Sequence, residues 1–117
     1  MRTLFGVLLC CGFGLALAAG PAPLEARKID FLIGAIETLQ DAQFIRNGTA
    51  YDAAAAASHL RLKLRYAGSR VASADDFIRL CATGSSLSGK PYQIRYTDGR
   101  VVSSEAFLRQ RLNEFRP

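Results

Sequence analysis

The chain has 117 residues, half of them hydrophobic and 21% charged, with a formal net charge of +5. That length suits one hydrophobic core, and the composition belongs to a folded domain, not to a disordered segment. The basic excess favours anionic partners through long-range attraction, but it lacks the dense Lys/Arg stripe of a nucleic-acid binder, so nucleic acid is not the expected partner.

The first segment reads Met1-Arg2-Thr3, an apolar run from Leu4 to Ala19, then Gly20-Pro21. A charged start, an apolar middle and a small-residue end make a secretory signal. Ala16-Leu17-Ala18 places small residues where signal peptidase requires them, so cleavage is expected after Ala18, with Ala19 or Gly20 as alternatives. A retained anchor would need about 20 apolar residues, more than this run supplies. Cys10 and Cys11 raise the alternative of a lipid-modified start, but each lacks a preceding small residue. The expectation is therefore a leader, residues 1–18, and one periplasmic or secreted domain over residues 19–117, with a membrane involved only in export. Cys81 would be left without a disulfide partner, and its place beside Phe77 and Leu80 marks it as a core residue.

Beyond the leader, Ile29, Leu32, Ile33, Ile36 and Leu39 recur at helical spacing and predict a helix within residues 24–39. Gln43 to Arg46 can form a short extended piece, and Asn47-Gly48 is a turn, because both residues tolerate positive φ. The turn also accounts for Asn47-Gly48-Thr49 without a sugar. Tyr51 to Tyr66 is rich in helix formers and carries an inner stripe of Ala53, Ala56, Ala57, Leu60 and Leu64. Gly68 closes that helix. Ser73 caps the next one, with Asp75 and Asp76 in its first turn and Phe77, Ile78, Leu80 and Cys81 on its apolar side.

Gly84 to Pro91 holds too many small and breaker residues to be helical and is a loop. Tyr92, Ile94 and Tyr96 alternate with polar residues, Asp98-Gly99 turns the chain, and Arg100-Val101-Val102 follows, which is the pattern of a hairpin. Leu108, Leu112 and Phe115 continue at helical spacing after Glu105. The fold class is α+β: a single small domain, mostly helical with about four helices, and one antiparallel β-hairpin near the C-terminus.

Candidate chemistry gathers at Arg46-Asn47, at His59 to Lys63 and in the Ser85 to Lys90 loop. His59 with Lys63 would hold an anion, whereas His59 as a base toward Ser85, Ser86 or Ser88 lacks a nucleophile elbow and an oxyanion frame. The loop imitates a phosphate-binding loop from Gly84 through Lys90, but Pro91 stands where a hydroxyl residue is needed, so no nucleotide is expected. One histidine, one cysteine beyond the leader and scattered carboxylates give no metal-ligand spacing, and no metal or other cofactor is expected. Carboxylates far apart in sequence, such as Asp52 and Asp75, become a catalytic pair only if the fold joins them.

Phe44-Ile45-Arg46-Asn47-Gly48, His59-Leu60-Arg61-Leu62-Lys63-Leu64 and Ser85-Ser86-Leu87-Ser88-Gly89-Lys90-Pro91-Tyr92 together resemble the YfeK-like small exported bacterial proteins, over a span from about Leu24 to Leu112. The resemblance implies an address in the bacterial envelope and no assigned activity. It points to Arg46, Asn47, His59, Arg61, Lys63, Ser86, Ser88, Lys90 and Tyr92 as the polar groups to examine, without giving any of them a role. The reading that follows is a noncatalytic binding or interaction module whose partner is an envelope protein or an anionic envelope ligand. The alternatives are a small envelope hydrolase or transferase using His59 and a loop serine, and an accessory of a larger envelope assembly.

Overall fold

A computed structural model describes residues 20–117. The leader, Cys10 and Cys11 lie outside the described residues. Helix α1 spans Pro23–Glu37, and its first residue needs no amide donor, which suits proline there. Strands β1 (Ala42–Arg46) and β2 (Thr49–Tyr51) follow, then helix α2 (Ala53–Ala67). A short helix α3 (Ala74–Phe77) runs directly into a π-helical turn, Ile78–Ala82. Strands β3 (Gln93–Tyr96) and β4 (Val101–Ser103) lead into helix α4 (Ser104–Glu114).

The α+β reading holds, and the structure adds a second hairpin to the one expected near the C-terminus. Asn47 and Gly48 take φ of 52° and 78°, which closes β1 onto β2. All four strands form one antiparallel sheet in the order β2-β1-β3-β4. The join is β1 with β3, where Phe44 stands opposite Ile94 and Ala42 opposite Tyr96. One face of this sheet, carrying Phe44 and Ile94, is buried, while Gln43, Gln93 and Arg95 on the other face are exposed. Side chains alternate along a strand, so Arg46 shares the inner face with Phe44.

The helices cover that inner face and share one core. Ile29, Leu32, Ile33 and Ile36 of α1 pack with Ala57 and Leu60 of α2, and with Phe77, Ile94 and Leu108. Ala57 is fully buried, as expected of a small residue that lets two helices approach closely. Each helix start has a local cause. The Asp52 carboxylate accepts from the Ala55 amide at 2.8 Å, Ser73 from Asp76 at 3.0 Å and Ser103 from Ala106 at 3.0 Å. Asp52 therefore sets the start of α2 at Ala53, and Tyr51, expected in the helix, belongs to β2.

The π turn corrects one further expectation. Phe77, Ile78, Cys81 and Ala82 are buried, but Leu80 is 36% exposed. A wider turn rotates Leu80 off the apolar face that α-helical spacing would give it, and the Thr83 hydroxyl closes the turn by donating to the Ile78 carbonyl at 2.7 Å. Cys81 is in the core as read from the sequence, and burial pushes its thiol pKa up, which keeps it protonated and unreactive. Phe77 has no exposure at all. Replacing Phe77 with Ala should cost about 3–5 kcal/mol of unfolding free energy, read as a lower urea midpoint at unchanged slope; a loss below about 1 kcal/mol would contradict its place in the core.

Candidate functional site: a basic rim around an apolar cavity

Three sequence-distant pieces meet at one end of the sheet: the β1–β2 turn, the middle of α2 and the loop before β3. The loop is drawn in by its own backbone. Ser85 donates its amide to the Lys90 carbonyl at 3.0 Å, and Gly89, at φ 74°, donates to the Ser85 carbonyl at 2.9 Å. Gly84 has no room for a side chain, because a Cβ there would stand 2.9 Å from the Lys90 carbonyl oxygen. The Asn47 side chain fastens this loop to the turn, donating to the Ser85 hydroxyl at 3.3 Å and accepting from the Ser88 hydroxyl at 2.5 Å.

The loop ends in Tyr92, which is buried apart from 8% of its surface. Its hydroxyl accepts from the Lys63 ammonium at 3.0 Å and lies 3.1 Å from His59 Nε2. Lys63 also donates to the Gly84 carbonyl at 3.0 Å, so its charge is held between α2 and the loop. His59 and Lys63 are one turn apart on α2, which is why both reach the same hydroxyl. Burial pushes the His59 pKa down, and the nearby Arg46 and Lys63 charges push it further the same way. His59 is therefore neutral at pH 7.

Beside this trio, α2 and the sheet frame a partly open cavity of about 130 Å³. Ile36, Phe44, Ala56 and Leu60 form its apolar walls, and Arg46, Tyr51, His59 and Tyr92 bring polar groups to it. Arg46 lies with its guanidinium over the Tyr51 ring, 4.9 Å from the centroid, and donates to the Tyr51 hydroxyl at 2.9 Å. Among the described residues it forms no ion pair with a carboxylate. A guanidinium has five N–H donors, so most of its hydrogen-bonding capacity is unspent.

The structure thus brings together Arg46, Asn47, His59, Lys63, Ser88 and Tyr92 of the residues singled out from the sequence. It separates Arg61, whose guanidinium makes two hydrogen bonds to Glu37 of α1, at 2.8 and 3.2 Å. Ser86 and Lys90 are exposed on the loop; the Lys90 amide donates to the Ser88 hydroxyl at 3.2 Å. Ser85, considered from the sequence only as a nucleophile, is instead a buried hub that accepts from Asn47 and from the amides of Leu87 and Ser88. Among the described residues His59 makes no hydrogen bond to a loop serine; its bond goes to Tyr92. Asp52 and Asp75 are likewise accounted for, the first by its cap and the second by pairing with Arg79 and Arg109. Among the described residues, no three His, Cys, Asp or Glu side chains gather as a metal site. Tyr51 was missed by the sequence reading, and alternation across the Asn47-Gly48 turn would have placed it opposite Phe44, on the face that carries Arg46.

Because the fold keeps His59 neutral, the unfolded chain takes up a proton that the folded chain resists. This contribution is fully present above the unfolded pKa of about 6.5 and is lost as the pH falls below it. The wild-type melting temperature should fall between pH 7 and pH 5.5, above the range in which Glu25, Asp75 and Asp76, all with lowered pKa values, take up protons. His59→Gln should flatten that dependence; an equal slope in both proteins would show that His59 is not held neutral.

No solved structure matches the chain. The uncharacterized protein YfeK of Salmonella typhimurium (strain LT2) is 41% identical over 68 residues, which cover 58% of this chain and 57% of that protein, so the chain matches little more than half of the relative's length. The profile of a family of unknown function (DUF5329) matches residues 23–116, from the first turn of α1 to the end of α4. The chain described here belongs to that family.

Proposed function

We propose that this protein is an exported, noncatalytic binding domain of the cell envelope, and that the rim formed by Arg46, His59, Lys63 and Tyr92 receives an anionic group of its ligand. The observation that carries this reading is Arg46, a guanidinium fixed against Tyr51 at a cavity mouth with no carboxylate beside it among the described residues. Arg61, Arg79, Arg100 and Arg109, by contrast, are each paired with an acidic side chain, and Arg27, Arg65 and Arg70, which like Arg46 have no ion pair among the described residues, do not line this cavity. A cation left unpaired next to a partly enclosed apolar space is matched by an anion from outside the chain.

The noncatalytic part rests on where the hydroxyls and the imidazole are engaged. Ser85 and Ser88 bond to Asn47, and His59 bonds to Tyr92, so the nucleophile and base of a serine hydrolase are not paired. Export rests on the leader, whose charged start, apolar run and Ala16-Leu17-Ala18 end fit a cleaved signal. Among the described residues, no helix is long and apolar enough to cross a membrane.

Two measurements test this. Intact mass of protein recovered from the periplasm should correspond to a chain starting at Ala19, Gly20 or Pro21, and a mass including Met1 would refute export by cleavage. In a two-dimensional NMR titration with sodium acetate and sodium phosphate, each against matched sodium chloride, shifts should concentrate at Arg46, His59 and Tyr92. Arg46→Gln should weaken that response at least tenfold while Arg61→Gln leaves it unchanged. Shifts spread evenly over the basic surface, and equal in both variants, would contradict the assignment of the anion to this rim.

A further inference from the structure

The cavity has two chemically different parts, and together they narrow the ligand. Ile36, Phe44, Ala56 and Leu60 line it with apolar side chains, and Gln93 and Ser104 join the rim groups as its polar lining. A space of about 130 Å³, partly open to solvent, is close in size to the roughly 150 Å³ of an apolar protein cavity that takes up benzene. An apolar body of about six to eight heavy atoms fills it.

The rim admits one negative charge. Arg46 is the cation that lines the cavity. Lys63 is not a lining residue, and its ammonium is directed to the Gly84 carbonyl and the Tyr92 hydroxyl. His59 lines the cavity but adds no positive charge at neutral pH, since burial lowers its pKa. One planar guanidinium, held over Tyr51 at 4.9 Å from the ring centroid, has paired N–H donors at the spacing of a carboxylate's two oxygens. A dianionic phosphate would find one cation at the cavity itself, because the rim's other cation, Lys63, is turned to the Gly84 carbonyl and the Tyr92 hydroxyl.

We propose that the ligand is a small aromatic or short-chain monocarboxylate, its apolar body seated between α2 and β1 against Phe44 and Leu60 and its carboxylate on Arg46. This rests on the anion-binding reading above and deepens it by naming the substance bound. Tyr51, which lies under Arg46 and accepts from it at its hydroxyl, is a positioning residue for the guanidinium. Ala55 and Ala56 keep the cavity open, because a larger side chain on that wall of α2 would occupy it.

The test is a calorimetric or NMR titration of the full folded protein with acetate, butyrate, benzoate and 2-naphthoate, and with benzamide and benzylamine as the neutral and cationic counterparts of benzoate. Affinity should rise about three- to fourfold for each methylene buried from acetate to butyrate. It should be highest for benzoate and fall again for 2-naphthoate, which exceeds the space. Benzamide and benzylamine should bind at least tenfold more weakly than benzoate. Ala56→Leu should remove the advantage of benzoate over acetate while leaving acetate binding intact, and Ala55→Leu, on the same wall but exposed, serves the same purpose should the first variant fail to fold. Tyr51→Phe should weaken benzoate without altering the preference for a ring of that size. Equal binding of acetate and benzoate, or tighter binding of phosphate than of benzoate, would overturn this proposal and leave the anion-binding rim standing. No response to any anion would overturn both.

Discussion

The antiparallel pairing of β1 with β3 is the constraint on which the rest depends. It joins residues 42–45 to residues 93–96, and in doing so it fuses two hairpins that are far apart in the chain. Side chains alternate along each strand, so a slip of one residue would send Phe44 and Ile94 to solvent and carry Arg46 and Tyr92 away from the helices. The buried pair Phe44 and Ile94 therefore fixes more than the core. It decides that Arg46 and Tyr92 face α2, where His59 and Lys63 already stand one turn apart.

Around this join the polar groups satisfy one another in a fixed hierarchy. Asn47 holds the loop by Ser85 and Ser88, the loop delivers Tyr92, and the Tyr92 hydroxyl takes up the Lys63 ammonium and the His59 ring. Buried polar groups are costly unless partnered, and here each of them finds a partner inside the cluster. Arg46 is the exception, with one hydrogen bond and a stacked aromatic ring in place of a counter-charge. The same fold that engages the Lys63 donors with a carbonyl and a hydroxyl leaves most Arg46 donors available, and that difference gives the site its polarity. Elsewhere, ion pairs such as Arg61 with Glu37 are exposed and belong to surface solvation, not to recognition.

Much of this was legible in the sequence because its causes are local. The Asn47-Gly48 turn, the Ser73 cap with its following carboxylates, the alternation of Tyr92, Ile94 and Tyr96, and the inner stripe containing Ala57 and Leu60 are each written within a few residues of where they act. The pairing of His59 with Lys63 was legible for the same reason. Other features depend on distance. Nothing local states that Gln43 to Arg46 pairs with residues 93–96, that the Glu25 carboxylate accepts from the Ala74 amide at 2.9 Å, or that Ser85 serves as a hub. The π turn escaped because Phe77, Ile78, Leu80 and Cys81 satisfy α-helical spacing equally well; only packing against the core decides that Leu80 is the residue left outside.

The central claim is that an unpaired guanidinium and an apolar cavity meet on the inner face of this sheet. A crystal structure of the protein soaked with benzoate tests it most directly. The carboxylate should lie within about 3 Å of the Arg46 guanidinium nitrogens, with the ring between Phe44 and Leu60 and the Tyr92 hydroxyl still joining His59 to Lys63. A benzoate bound elsewhere, or an Arg46 turned to the opposite face of the sheet, would contradict it.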